Sequence, residues 1–308
     1  MNLFNKFRFG NGDQSARLGI DIAGSRIAQA GVRHHPGQKP RLVDCGFEAC
    51  DEPDDLSSAL ARLKTQRFPV NSIISSASYQ LLLVEAPDVP EVELRAAVRW
   101  RIKDLIDFHI DDAVIDVFEI PEQSRGGQTR MMHAVAARND VIQQHVNLLT
   151  NRGYELSSID IPELCLRNLA AQLPEDTEGV ALLHLTGDRG ALSITKNQLI
   201  YLTRNIDTGL LHSEEEQGRT DFIESLLLEI RRSLDYFESH YDQKPISAFY
   251  VTGLDDEQRN DINLELPMPV KALKVSDCVD VDFELDPEIE RQCLPAVGAA
   301  LRVEAVSL

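Results

Sequence analysis

The chain is short of everything that marks a membrane span, a nucleic-acid surface or a disulfide scaffold. No stretch approaches the roughly 18 to 20 apolar residues that cross a bilayer. Cations are scarce: 31 Lys and Arg stand against 50 Asp and Glu, a formal net charge of −19. Phosphate backbones need stripes of Lys and Arg, so a general nucleic-acid binder is excluded. The same deficit gives no bulk attraction to anionic lipid. The five cysteines (Cys45, Cys50, Cys165, Cys278, Cys293) are scattered and form no C-x-x-C pair. They read as reduced packing residues rather than a disulfide or zinc framework. The eight histidines include no H-x-x-x-H spacing. The start of the chain lacks the uninterrupted apolar core of a secretory signal, and a cytoplasmic protein is expected.

What is present is globular. The 308 residues are 43% hydrophobic and 26% charged, enough for two domains with their own cores. The opening "MNLFNKFRFGNGD" is a separate tail in which Leu3, Phe4, Phe7 and Phe9 are interspersed with Lys6 and Arg8. It reads as a loosely tied terminus or as a weak contact with a membrane or partner.

From Leu18 the pattern is β. "LGIDIAG", "RIAQAGV" and "PRLVDCGFEAC" predict three strands joined by turns, and "DEPDDLSSALARLKTQ" a helix with an acidic start. "VNSIISSASYQLLLVEAPDVP" is strand-like. "EVELRAAVRWRIKDLIDFHI" follows as a helix with an apolar stripe of Leu94, Val98, Ile102 and Leu105. "AVIDVFEIPE" and "TRMMHAVAA" predict strands around the polar turn "QSRGGQ". A helix capped at Asn139 or Asp140 and stopped at Gly153 comes next. The strand "YELSSIDI" and a helix opened by Pro162 complete this half. After the acidic segment "LPEDTEG" the β pattern restarts with "VALLHLT", "GALSITK" and "QLIYLTRNI". "TGLLHSEEEQGR" reads as an acidic loop. "TDFIESLLLEIRRSLDYFESHY" is the strongest helix, its start marked by Asp221 and Glu224 in capping-box spacing. "ISAFYVTG" and "PVKALKV" read as strands, and "LPAVGAALRV" as a closing helix of small residues.

Two halves that each open on a β-meander and continue into helices have the plan of the actin-like ATPase fold. In detail, "GIDIAGSRIAQAGV" resembles the first phosphate hairpin of the PilM family of type IV pilus assembly proteins. "APDVPEVELRAAVRWRIKDLIDFHIDDAVIDVF" resembles that family's inserted subdomain, and "RGYELSSIDIPELCLRNLA" and "RRSLDYFESHY" also fit. Within the family, the pattern is similar to the MshI branch of mannose-sensitive haemagglutinin pilus systems. The resemblance implies an α/β, ribonuclease H-like fold of two domains around a cleft. Residues 14–71 and 135–175 would form the first domain, 72–134 the inserted subdomain, and 176–308 the second domain, with about 215–285 as its smaller part.

In that fold two hairpins grip phosphates and an Asp in each holds Mg²⁺ or its waters, while glycines admit backbone N–H groups to phosphate oxygens. The resemblance puts Asp21, Ala23, Gly24 and Ser25 in the first hairpin. It puts His184, Thr186 and Gly187 in the second, and Thr252, Gly253 and Leu254 at the adenosine motif. The matches are imperfect. Ala23 stands where glycine is usual, and His184 and Thr186 replace Asp and Gly. Leu254 and Asp255 replace the second Gly and its neighbour. A neutral imidazole is a poor Mg²⁺ ligand. Mg-ATP is the only cofactor implied, and a degenerate nucleotide site without catalysis is expected. Asp21 has the alternative of capping its own turn, and His184 that of pairing with a core neighbour.

The partner implied by the resemblance is the cytoplasmic tail of a PilN-like inner-membrane protein, held between the first domain and the inserted subdomain. Trp100, with Ala97 and Arg101, is the candidate contact, since tryptophan is enriched in binding hot spots. Its alternative is packing beneath a neighbouring strand. Arg95, Arg99, Arg101 and Lys103 read either as partner contacts or as a solvated face with intrahelical ion pairs. The competing functions are an active assembly ATPase, a component of a related type II secretion platform, and a kinase, for which no catalytic Asp is identified.

Overall fold

A computed structural model describes residues 15–23, 26–50, 56–63, 68–121, 130–186, 189–207, 209–210, 216–241 and 243–302. The N-terminal tail, Gly24, Ser25, Gly187, Asp188 and the "QSRGGQ" turn lie outside them. The chain divides into two compact units, one drawn from Met1–Pro162 and Pro295–Leu308, the other from Glu163–Leu294.

The first unit holds a five-stranded sheet. Strands β1 (Ala16–Ala23), β2 (Arg26–Arg33) and β3 (Arg41–Ala49) form the expected antiparallel meander. β4 (Val70–Ile73) and β8 (Leu156–Asp160) add in parallel, giving the order β3-β2-β1-β4-β8. β1 is covered on both faces, as expected of a central strand paired in parallel. Leu18, Ile20 and Ile22 pack with Ile27, Leu60, Val70 and Leu149, drawing in α1 (Leu56–Arg62) and α3 (Asn139–Thr150). Gly19 and Asp21, of opposite parity, point to the other face. There the end of α8 (Pro287–Ala300) lies so close that a Cβ on Gly19 would sit 1.8 Å from the Ala296 carbonyl oxygen.

Polar contacts fix that closure. Asn71 Nδ2 donates to the Ala299 carbonyl at 3.0 Å, His34 Nε2 to the Ala300 carbonyl at 2.9 Å, and Arg302 pairs with the buried Asp160 carboxylate at 2.8 Å. On the opposite face, Ser72 Oγ donates to the Ile20 carbonyl, leaving its oxygen to accept from His145 Nε2 at 2.8 Å.

A smaller sheet, β5 (Tyr79–Glu85), β6 (Ala113–Glu119) and β7 (Met131–Arg138), has the order β5-β7-β6 and is fully antiparallel. α2 (Glu91–Ile102) packs on one of its faces through Leu94, Val98 and Ile102, against Val84, Met132, Ala134 and Ala136. α2 ends at Ile102, so Leu105 falls in the following turn and is exposed rather than part of the stripe.

The second unit repeats the meander with β9 (Val180–Leu185), β10 (Gly190–Lys196) and β11 (Leu199–Ile206). Parallel β12 (Ala248–Thr252) and β13 (Val270–Ala272) complete the order β11-β10-β9-β12-β13. α5 (Glu216–Tyr241) lies on it, Phe237 and Tyr241 meeting Tyr201 edge-on. α5 starts before Thr220, which makes Asp221 an interior residue and not its cap. α6 (Asp256–Glu265) follows β12, and α7 (Val275–Cys278) follows β13. α4 (Pro162–Ala170) begins at the expected proline. α3 is preceded by Arg138 at its cap position, rather than by Asn139 or Asp140, and ends before Gly153, which takes φ +81°.

The close approach at Gly19 gives the first prediction. Gly19→Ala forces β1 away from α8, and overpacking of this kind costs about 3 kcal/mol or more. Urea denaturation should show a lower midpoint with the slope unchanged.

Candidate functional site

The turn of the first hairpin is short: Ala23 pairs with Arg26 across it, and Asp21 with Ala28. Asp21 and Arg26 therefore share a face on a cross-strand diagonal. Arg26 Nη2 lies 2.9 Å from Asp21 Oδ2. Asp21 is only 5% exposed. Burial pushes its carboxyl above the ordinary carboxylate range, against the opposing charge and hydrogen bond of Arg26. Asp21 is thus tied to a side chain on the facing strand. Arg26 was not singled out in the sequence. The available signal was a lone cation two residues beyond the glycine of the bend.

In the second unit, β9 and β12 run parallel with His184 in register with Thr252. His184 Nδ1 and Thr252 Oγ1 are hydrogen-bonded at 2.7 Å, so two of the positions singled out meet each other. Thr186 is exposed, and its hydroxyl and N–H both donate to the Arg189 carbonyl, closing the β9–β10 turn. Gly253 has φ +91°, and a Cβ there would come 2.8 Å from the Leu185 carbonyl oxygen. Glycine is required by conformation and by space at once. Leu254 is half-buried. Asp255 caps α6: its carboxylate accepts from the Gln258 N–H at 2.8 Å and its own N–H donates to Gln258 Oε1 at 3.1 Å. Asp21 and Ala23 belong to the first unit, and His184, Thr186, Thr252, Gly253 and Leu254 to the second. Gly24, Ser25 and Gly187 lie outside the described residues.

These donors do not suit a magnesium ion bound to phosphate. The one carboxylate at a metal position carries an arginine, and the other position carries an imidazole bound to a hydroxyl. Mg²⁺ takes oxygen ligands in near-octahedral array. Among the described residues no group of three or more His, Cys, Asp or Glu is placed to hold a metal.

The inserted segment presents a different surface. Trp100 is 70% exposed on the side of α2 away from the sheet, in line with exposed Val92 and Ala96 at four-residue spacing. It does not pack beneath a strand. Ala97 is half-buried. The three arginines are engaged, and through tertiary rather than intrahelical contacts. Arg95 Nε donates to Asp116 at 3.0 Å, Arg99 to the Ala113 and Ile110 carbonyls, and Arg101 to Glu85 at 3.0 Å. Lys103 sits 3.9 Å from its neighbour Asp104.

The other face of the small sheet carries a row of Leu83, His133 and Phe118 in register. Leu83 is half exposed, while His133 is buried, stacks on Phe118 at 4.8 Å, and has neither ring nitrogen hydrogen-bonded. Burial lowers the His133 imidazole to about 4, and that of His145 likewise to about 4. Both are neutral in the fold, whereas the unfolded chain takes up a proton near pH 6.5. Their contribution is intact above roughly pH 6.5 and is lost as pH falls toward 4, up to about 3 kcal/mol for each histidine. Denaturation series between neutral and mildly acidic pH should show this loss. His133→Leu should remove its share and raise stability at neutral pH by about 1–3 kcal/mol, because it deletes an unsatisfied polar group.

No protein-family model matches the chain, and no curated protein matches it. Solved structures do. A chain of the PilM–PilN type IV pilus biogenesis complex aligns over 94% of this chain and 99% of its own, at 20% identity and TM-score 0.74. The cytoplasmic domain of EpsL, an inner-membrane component of the type II secretion system of Vibrio cholerae, aligns over 92% and 94%, at 11% identity and TM-score 0.50. A Bacteroides thetaiotaomicron protein described as having an actin-like ATPase fold and unknown function aligns over 91% and 96%, at 7% identity and TM-score 0.52. Two meander-led units, a small inserted sheet and these likenesses lead to one conclusion: the chain has the actin-like ATPase fold.

Proposed function

We propose that this protein is a non-catalytic scaffold of a type IV pilus assembly platform, of the MshI type, and that it captures the cytoplasmic tail of a PilN-like inner-membrane protein. The observation that carries the reading is the fold match, over nearly the whole of both chains, to a component of the PilM–PilN complex. On this reading 72–134 form the inserted subdomain between 14–71 and 135–175, with 176–308 as the second domain, except that the compact units join 163–175 to the second and return the end of α8, from Pro295, to the first. No described helix is long and apolar enough to cross a membrane. Residence at the cytoplasmic face of the inner membrane then comes from the partner, with the apolar and basic N-terminal tail as a further weak contact.

On this reading the nucleotide site is a remnant. The internal partners of Asp21, His184 and Asp255 support it, since each is spent on a contact that ATP would have to compete with. The function left to the fold is recognition. Trp100, with Ala97 and Arg101 beside it, supplies an exposed aromatic on the inserted subdomain, and tryptophan is enriched among the residues that anchor interfaces. The fold match to the type II secretion component EpsL favours the same architecture of role, a cytoplasmic domain serving an inner-membrane assembly.

Trp100→Ala should weaken capture of a PilN-like tail peptide by about 2 kcal/mol, the scale of an interface hot spot. Calorimetric titration of the peptide into wild type and variant measures it, with circular dichroism confirming that both are folded. Because Trp100 is exposed, the variant should fold normally. Equal affinities would remove Trp100 from the interface.

A further inference from the structure

The resemblance assigns Asp21 a metal ion, whereas the structure assigns it an arginine. The two side chains face each other across the β1–β2 hairpin at 2.9 Å, on the side of the sheet where α8 packs. Little of either reaches solvent: 7% of the Asp21 side chain and 17% of that of Arg26 are exposed. A buried carboxylate without a counter-charge is strongly unfavourable. In nucleotide-binding members of such a fold the charge is met by a divalent cation that arrives with the ligand. Here it is met by a guanidinium that is covalently attached and permanently charged.

We infer that Arg26 is the resident counter-ion of Asp21, standing in the charge role of the metal, so that the first hairpin reaches its electrostatic balance without metal or nucleotide. The inference rests on the proposed loss of nucleotide chemistry and gives it a residue-level cause. Three features agree. The pairing is set by strand register, which places Arg26 one step diagonally from Asp21, and not by a chance rotamer of a long surface side chain. A divalent cation approaching Asp21 would have to displace a guanidinium or lie beside its positive charge. The matching position of the second unit carries His184, hydrogen-bonded to Thr252, so no second carboxylate is offered there. The consequence is a first unit whose stability is independent of ligand, which suits a scaffold that must hold its partner at all times.

The test is thermal unfolding of the full chain as wild type, Arg26→Met, Arg26→Lys and the double variant Asp21→Asn with Arg26→Met, across a magnesium chloride series and again with ATP. Wild type should be flat with magnesium. Arg26→Met should melt several degrees lower and recover part of the loss in millimolar magnesium or manganese, because the freed carboxylate now takes the metal. The double variant, with no charge to balance, should melt near wild type and be flat. Arg26→Lys keeps the charge, so it should fold and ignore magnesium even if Arg26→Met does not fold. A wild-type melting temperature that rises with magnesium overturns the inference. So does an Arg26→Met protein as stable as wild type, or one that is destabilised but indifferent to metal, or an Arg26→Lys protein that responds to magnesium. If the variants behave as expected but wild type captures the partner tail only with ATP present, the scaffold reading fails while the role of Arg26 stands.

Discussion

The close packing of the end of α8 on β1 is the contact on which the first unit depends. It brings residues nearly 280 positions apart into backbone contact, an arrangement open only to glycine on the strand and favoured by small residues on the helix. Ala296, Val297, Ala299 and Ala300 are fully buried there. The hydrogen bonds from Asn71 and His34 engage the last carbonyls of the helix, that of Ala299 also accepting from the Arg302 N–H at 3.2 Å, and the Arg302–Asp160 pair closes the corner. β1 is held by its neighbours in the sheet on either side and by this helix on one face. The hairpin that continues from it, with Asp21 and Arg26, inherits that rigidity. A first unit completed by the last helix is built on long-range contacts, and its folding must bear the loop-closure entropy of nearly the whole chain.

The polar groups at the positions that the resemblance assigns to nucleotide have partners within the chain. Asp21 has Arg26, His184 has Thr252, Asp255 has the N–H of Gln258, and the Thr186 hydroxyl has the Arg189 carbonyl. The contrast is His133, buried in the small sheet with both ring nitrogens unbonded, a polar group kept at a cost in stability. The outer side of α2 is equally unspent: Val92, Ala96 and Trp100 line up in the open while the arginines around them are held by the subdomain itself. Among the described residues, the inserted segment thus carries both an exposed tryptophan and a buried imidazole with no hydrogen bond.

The architecture was legible because its signals are local. Each meander shows as short β-rich runs broken by turn residues, and Gly153 and Pro162 punctuate the chain where the structure places a helix end and a helix start. The shortfalls have physical reasons. Pro295 lies inside α8, so the sequence pattern began that helix about seven residues late. The loop expected over 208–219 overlaps the start of α5 at Glu216, where a glutamate suits the first turn of a helix. The partners of Arg95, Arg99 and Arg101 depend on which strands flank α2, and helical spacing alone cannot reveal that. Arg26 escaped notice for the same reason, since its meaning comes from the register of one hairpin. Asp21 and His184 lie on the strands expected of them; His184 has the neighbour its alternative foresaw, whereas Asp21 meets Arg26, a partner that neither of its readings named and that only the side-chain contact reveals.

The central claim is that recognition in this protein has been separated from nucleotide. The most direct measurement is the affinity of the purified chain for a PilN-like cytoplasmic tail peptide, determined in parallel without nucleotide, with Mg-ADP and with Mg-ATP. The account predicts tight capture with one and the same dissociation constant in all three. Capture that appears only with Mg-ATP, or that shifts tenfold or more between the nucleotide states, about 1.4 kcal/mol of coupling, would contradict it.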